Sequence, residues 1–246
     1  MKKTKMLKIG LLMVGFFWVS FSEMTFPSNI FAYEVISVNQ GGELVGTIKF
    51  KGDPPVNPTH QVLNNPDFCG STVQDETFMV NPENKGLENV VIRIDEIQSG
   101  KKPLSTTLVI ENRHCHFVPH VQGAMVGDSY EIRNSDPVLH NTHLHMEETT
   151  LMNVAMPPGG KNIKKSLLQP GIVNVKCDAH KFMQGWVFVA DNPYFAITDK
   201  EGNFKISGIP AGKYKIKIWH EGLAETEKEV TIYPDKKSQL SLELKQ

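Results

Sequence analysis

Cys177, His180 and Met183 fall within one short run, V-K-C-D-A-H-K-F-M-Q-G-W, and His140 stands upstream in N-S-D-P-V-L-H-N-T-H. One thiol, two imidazoles and a thioether make up the donor set of a blue-copper electron-transfer site. In such a site two histidines and a cysteine lie in a trigonal plane and a methionine approaches weakly along the axis. The thiolate is the soft donor that favours copper, and the thioether helps to set the reduction potential. Blander readings exist for each residue. A lone cysteine is commonly a small buried hydrophobe, and a lone methionine is commonly core filler. Structural zinc wants four Cys/His ligands, usually with a second cysteine pair. A cysteine nucleophile needs an adjacent base and an orienting third group. The set as a whole reads as one copper ion bound for single-electron transfer. No enzymatic role is expected, because four protein ligands leave no open position for a substrate.

The elements that must position these residues are strands. A three-residue spacing of Cys177, His180 and Met183 would also fit one helix face, but the flanks G-I-V-N-V-K and G-W-V-F-V-A are strand-like. A tight loop between two strands is therefore expected, with His140 arriving from a neighbouring hairpin. Asn141, next to His140, is the candidate for hydrogen bonding around the ligands. Elsewhere, E-L-V-G-T-I-K-F, L-E-N-V-V-I-R-I, T-L-V-I-E, N-F-K-I-S, K-Y-K-I-K-I-W and K-E-V-T-I-Y are short, β-rich and punctuated by Gly and Pro turns. The fold class predicted is all-β, with sandwich architecture.

The chain has 246 residues, 40% of them hydrophobic and 22% charged, with a formal net charge of -1. Such a composition supports one large or two small cores, and it offers no basic stripe for nucleic acid. Lys2, Lys3, Lys5 and Lys8 precede an apolar run from Ile9 to Phe21. That run is shorter than the ~20 residues of a membrane span, so residues 1–32 read as a cleaved signal peptide and the mature protein as exported, periplasmic or extracellular. Membrane association is expected only if this segment is not cleaved. Export makes Cys69 and Cys115 the candidate disulfide, contributing about 4 kcal/mol by loop closure. The alternative is two unpaired buried cysteines.

Several residues are surplus to a four-ligand site. His143 and His145 alternate along a strand-like stretch near Met146, Met152 and Met156, and His120 follows Pro119. These three histidines are either ordinary surface or core residues or extra metal ligands; a Met/His-rich site would suit Cu(I). His220 is expected to be structural, beside Trp219.

G-D-S-Y-E-I-R-N-S-D-P-V-L-H-N-T-H together with P-G-I-V-N-V-K-C-D-A-H-K-F-M-Q-G-W-V-F-V resembles the cupredoxin family, nearest its amicyanin and plastocyanin branches, over 107–191. The resemblance implies a Greek-key sandwich with copper at one end, His140, Cys177, His180 and Met183 as ligands, and His180 at an exposed edge that serves as electron port. F-A-I-T-D-K-E-G-N-F-K-I-S-G-I-P-A-G-K-Y-K-I-K-I-W-H-E-G resembles the carboxypeptidase regulatory-like, or transthyretin-like, β-sandwich, over 193–246. The opening strands of that second fold are similar to stretches within 39–104, so the copper domain reads as an insertion into a discontinuous sandwich, with a tandem order as the alternative. The function expected is electron transfer between redox proteins that dock transiently. Copper delivery or sequestration through extra His/Met ligands is the alternative, and a structural metal is a third.

Overall fold

The computed structural model describes residues 33–246, so the expected signal segment lies outside the described residues. The architecture is all-β: four sheets of three to five strands enclose two separate apolar cores.

The first core is built from both ends of the described chain. Gly42–Phe50 alternates inward Leu44 and Ile48 with wetter neighbours, the period-two pattern of a half-buried strand. It pairs antiparallel with Asn203–Ile209 and parallel with Lys237–Leu244. Gly46 is required here, since a Cβ would lie 1.8 Å from the Leu240 carbonyl oxygen. The facing sheet runs in the order Phe195–Ile197, Val91–Ile94, Gly212–His220, Leu223–Ile232. Leu44, Ile48, Ile92, Ile206, Ile216 and Tyr194 fill the space between the two sheets.

The chain leaves this sandwich after Ile94 and re-enters at Tyr194, and the two points are tied together. Ile94 N–H donates to the Tyr194 carbonyl at 3.0 Å, and the Asn192 amide donates to the Ile94 carbonyl at 2.7 Å. Between them lies the second sandwich. One sheet runs Ile163–Ser166, Ser129–Asn134, Thr107–Arg113, His116–Val118; the other runs Thr149–Met156, His140–Met146, Gly171–Lys176, Gln184–Ala190, Val121–Met125. Ile110, Phe117, Ile132, Leu144, Val173 and Val187 form its core.

A third apolar cluster, Val91, Val121, Met125, Phe188 and Ala190, joins the two bodies. Trp186 meets Trp219 edge-on at 5.3 Å between ring centroids. Phe195 lies so close to Gly123 that a Cβ there would fall 2.3 Å from its ring. The joint also contains a buried ion pair. Glu221 accepts from the His120 ring, from Trp186 Nε1–H at 2.8 Å and from the Gln184 amide at 2.9 Å. Glu76 lies 3.6 Å from the other His120 nitrogen and 3.0 Å from His116. His220 packs on Phe78 at 5.4 Å rather than on Trp219.

Burial alone would pull the His120 pKa down, but the bonded Glu221 carboxylate, with Glu76 and Asp75 behind it, leaves it raised above the ordinary 6.5. A raised folded-state value adds stability that is complete below the unfolded pKa and is lost as pH rises through the folded one. Glu221→Gln should therefore cost about 3 kcal/mol near pH 6 and distinctly less near pH 9. Urea unfolding at the two pH values measures this; equal losses would mean that the pair carries no charge.

Candidate metal centre

Strand register brings the four sequence-separated residues to one end of the second sandwich. His140–Met146 pairs antiparallel with Gly171–Lys176, with His143 opposite Lys176. His140, which opens the first strand, thus lies at the same end as Cys177, which follows the second. Gln184 opens the next antiparallel strand opposite Lys176, and Met183 immediately precedes it. The loop from Cys177 to Met183 closes with a bond from Met183 N–H to the His180 carbonyl at 2.9 Å. Alternation along His140–Met146 turns His140, Thr142 and Leu144 inward, and Asn141, His143 and His145 outward.

Cys177 Sγ lies 3.9 Å from His140 Nδ1 and 3.7 Å from His180 Nδ1. All three residues are buried, as is Met183, which packs in the same core. Bonds of about 2.0 Å to imidazole nitrogen and 2.3 Å to thiolate sulfur, at trigonal angles, would hold such donors roughly 3.8 Å apart. The three donor atoms therefore fit around a single first-row metal ion.

Each donor is held from behind. His140 Nε2–H donates to Asp136 Oδ2 at 2.9 Å, which turns bare Nδ1 toward the sulfur. Asp136 is itself buried and accepts the backbone N–H of His114 at 2.6 Å and of Cys115 at 2.8 Å. Asn141 works through both backbone and side chain. Its N–H points at Cys177 Sγ at 3.4 Å, and its Oδ1 accepts the N–H groups of Asp178 and Ala179. His180 Nε2–H donates to Asn65 Oδ1 at 3.2 Å. Asp136 and Asn65 escaped the sequence reading. Asp136 had a local signal, an acid four residues before a candidate ligand histidine in S-D-P-V-L-H; Asn65 had none, being 115 residues from His180.

Burial favours the neutral form of each of the three donors. Burial pushes the Cys177 thiol up, against the pull of the Asn141, His180 and Ala179 N–H groups. Burial lowers His140, with Asp136 partly opposing, and it lowers His180, helped by the proximity of His140. Both imidazoles are thus suited to act as neutral ligands, while the thiol must lose its proton on binding a cation.

Two expectations require correction. His180 is not an exposed edge: it is 2% accessible and is covered by Asn64, Asn65 and their neighbours. His120 is not near the sulfur, because Glu221 and Glu76 hold its ring in the joint between the sandwiches. The His143 and His145 rings lie 3.6 Å apart between centroids, tilted by 41°, and His143 is bonded to Asp178 at 3.1 Å and to Thr150 at 3.0 Å. Among the described residues the metal-competent groups of three are His140, Cys177 and His180, and Cys115, Asp136 and His140. Cys115 is joined to Cys69 by a disulfide, which removes its sulfur from the second group. Met156 is core, and Met152 accepts from Tyr130 Oη–H at 3.7 Å.

Residues 187–245 match the carboxypeptidase regulatory-like domain. No curated protein sequence matches the chain. Among solved structures, a copper-containing nitrite reductase from Thermus scotoductus is 20% identical over 36% of this chain and 23% of its own, at a TM-score of 0.30. This chain therefore spans less than a quarter of that enzyme's length. A purple cupredoxin from Nitrosopumilus maritimus is 20% identical over 35% of this chain and all of its own, at 0.30. A reduced Cu(I) form of an amicyanin variant is 21% identical over 36% of this chain and 86% of its own, at 0.31.

Asp136→Ala would leave three N–H donors without their acceptor and free the His140 ring to rotate. The expected cost is about 3 kcal/mol in urea unfolding of the metal-free chain. Metal affinity should also fall by about 10- to 100-fold in a competition titration.

Proposed function

We propose that the protein is an exported electron carrier built on one type 1 copper ion, held by His140, Cys177, His180 and, more weakly, Met183. The observation that carries this reading is the convergence of one sulfur and two Nδ1 atoms in a buried, apolar pocket, with Met183 in the same core. Copper bound there would supply a reversible one-electron couple.

The chain's own residues do the rest. Asp136 and Asn65 fix the two imidazole rings with their Nδ1 lone pairs inward. The Asn141 N–H directs a dipole at the sulfur, lowering the cost of a buried thiolate. Strand ends on both sides restrain the loop, so the donors need move little when the charge changes. The family likeness of 107–191 supports a cupredoxin body inserted in a carboxypeptidase regulatory-like sandwich made of 39–104 and 193–246. The Cys69–Cys115 bridge supports residence in an oxidising compartment, periplasmic or extracellular. Redox proteins that dock transiently are the proposed partners.

The test is Cu(II) added to the purified mature chain, with visible spectra and copper stoichiometry recorded beside Cys177→Ser. The expected outcome is an intense thiolate-to-copper band at one copper per chain, absent in the variant. A pale protein that binds two or more coppers regardless of Cys177 would replace this reading with delivery or storage.

A further inference from the structure

Residues 57–75 have no part in either sandwich, yet they lie against the metal centre. Thr59–Gln61 and Thr72–Gln74 form a small antiparallel pair, and the short helix Pro66–Cys69 sits between them. Three attachments hold this excursion down. Cys69 is bridged to Cys115. The Asn64 amide donates to the Ala179 carbonyl at 2.6 Å, and Asn65 Oδ1 accepts from His180 Nε2–H. A cavity of about 260 Å3 remains between the excursion and the loop carrying His180, lined among others by His60, Leu63, Ala179 and Phe182.

We propose that residues 57–75 are a lid over the metal centre, in which Asn65 is a positioning residue for His180 and the Cys69–Cys115 bridge holds the lid closed. The copper reading gives this lid its purpose, and the evidence for the lid is independent of it. An amide oxygen only accepts hydrogen bonds, so Asn65 requires the proton on His180 Nε2 and leaves Nδ1 bare. Nδ1 is the atom that faces Cys177 at 3.7 Å. Asn65 and Asp136 therefore perform the same service for the two histidines from unrelated parts of the chain.

The bridge joins these two devices. Cys69 ends the helix that follows Asn65, and the Cys115 N–H is bonded to the carboxylate that holds His140. Closing the lid keeps water from the His180 edge. A copper–thiolate centre carries one more positive charge when oxidised, and a drier surrounding favours the reduced form.

The experiment uses the full mature chain, metal-free and with its disulfide oxidised. It is compared with Asn64→Ala/Asn65→Ala and with Cys69→Ser/Cys115→Ser. Each protein then has a single free thiol, Cys177, whose alkylation by iodoacetamide is followed by mass spectrometry under native conditions. Both variants should react about tenfold faster or more, as expected when a closed segment gains a low-energy opening. Nitrogen-15 NMR of the rings should show one His180 tautomer in the parent chain and a mixture in Asn65→Ala. Equal alkylation rates in the three proteins would overturn the lid, and an unchanged tautomer would overturn the role of Asn65. The Asn64 and Asn65 side chains are exposed, so that variant carries the test if the serine pair does not fold. Neither readout involves copper, so a missing charge-transfer band in the parent chain would defeat the copper reading and leave the lid standing.

Discussion

A buried carboxylate must be surrounded by donors, and Asp136 shows how much structure that requirement organises. Its side chain is 1% accessible, and leaving it unpaired would cost several kcal/mol. It receives the N–H groups of His114 and Cys115 and the ring N–H of His140. Two consecutive left-handed residues, His114 at φ 54 and Cys115 at φ 59, present those two backbone donors. This turn would be strained for non-glycine residues in isolation. Here the carboxylate rewards it, and the turn delivers Cys115 to Cys69. One buried side chain thus fixes the ring of a proposed ligand and the anchor point of the excursion that covers the other histidine.

The remaining rigidity comes from the way the two sandwiches share chain. Because the first sandwich takes strands from before Ile94 and after Tyr194, the second is held at both of its ends. The strand that opens just after Met183 continues into Phe188 and Ala190, which belong to the cluster joining the two bodies. Trp186, on the same strand, is bonded to Glu221 of the first sandwich. The loop from Cys177 to Met183 is therefore continuous with a strand clamped from outside its own sheet. A donor set anchored in this way would change shape little when the charge on a bound ion changes, which is what the proposed electron transfer would require.

Local chemistry was legible in the sequence wherever residue type and short spacing carried the information. Cys177, His180 and Met183 lie within one loop, and the β-branched flanks ruled out a helix for it. The all-β class followed from alternation in stretches such as K-Y-K-I-K-I-W. Long-range partners were not legible. Nothing near His120 announced Glu221, which is 101 residues away, so the histidine looked like a spare ligand when it was half of a buried ion pair. The exposure of His180 failed for a similar reason. Family likeness described the loop itself, whereas burial is decided by a segment over a hundred residues upstream that has no regular periodicity. Composition cannot distinguish a thioether donor from core filler, and neither does burial: Met156 shares one apolar core with Met183, and it is its place beside the loop of Cys177 and His180 that singles Met183 out.

Covering His180 changes the balance that the proposed carrier would have to strike. A bare imidazole edge shortens the path to a partner but admits water, and with it competing ligands and protons. An enclosed edge would protect a copper-bound thiolate and hold the ring in one tautomer, but it would place protein between the proposed copper and whatever receives the electron. The cover here is thin at the point of contact, because a single amide oxygen bridges the ring to the surface and Asn65 itself is exposed. Exposed Leu63 stands beside it, at 87% accessibility, above the cavity that His180 helps to line. Protection and proximity are reconciled by making the barrier one side chain deep and fastening it with a covalent bond placed away from the contact itself.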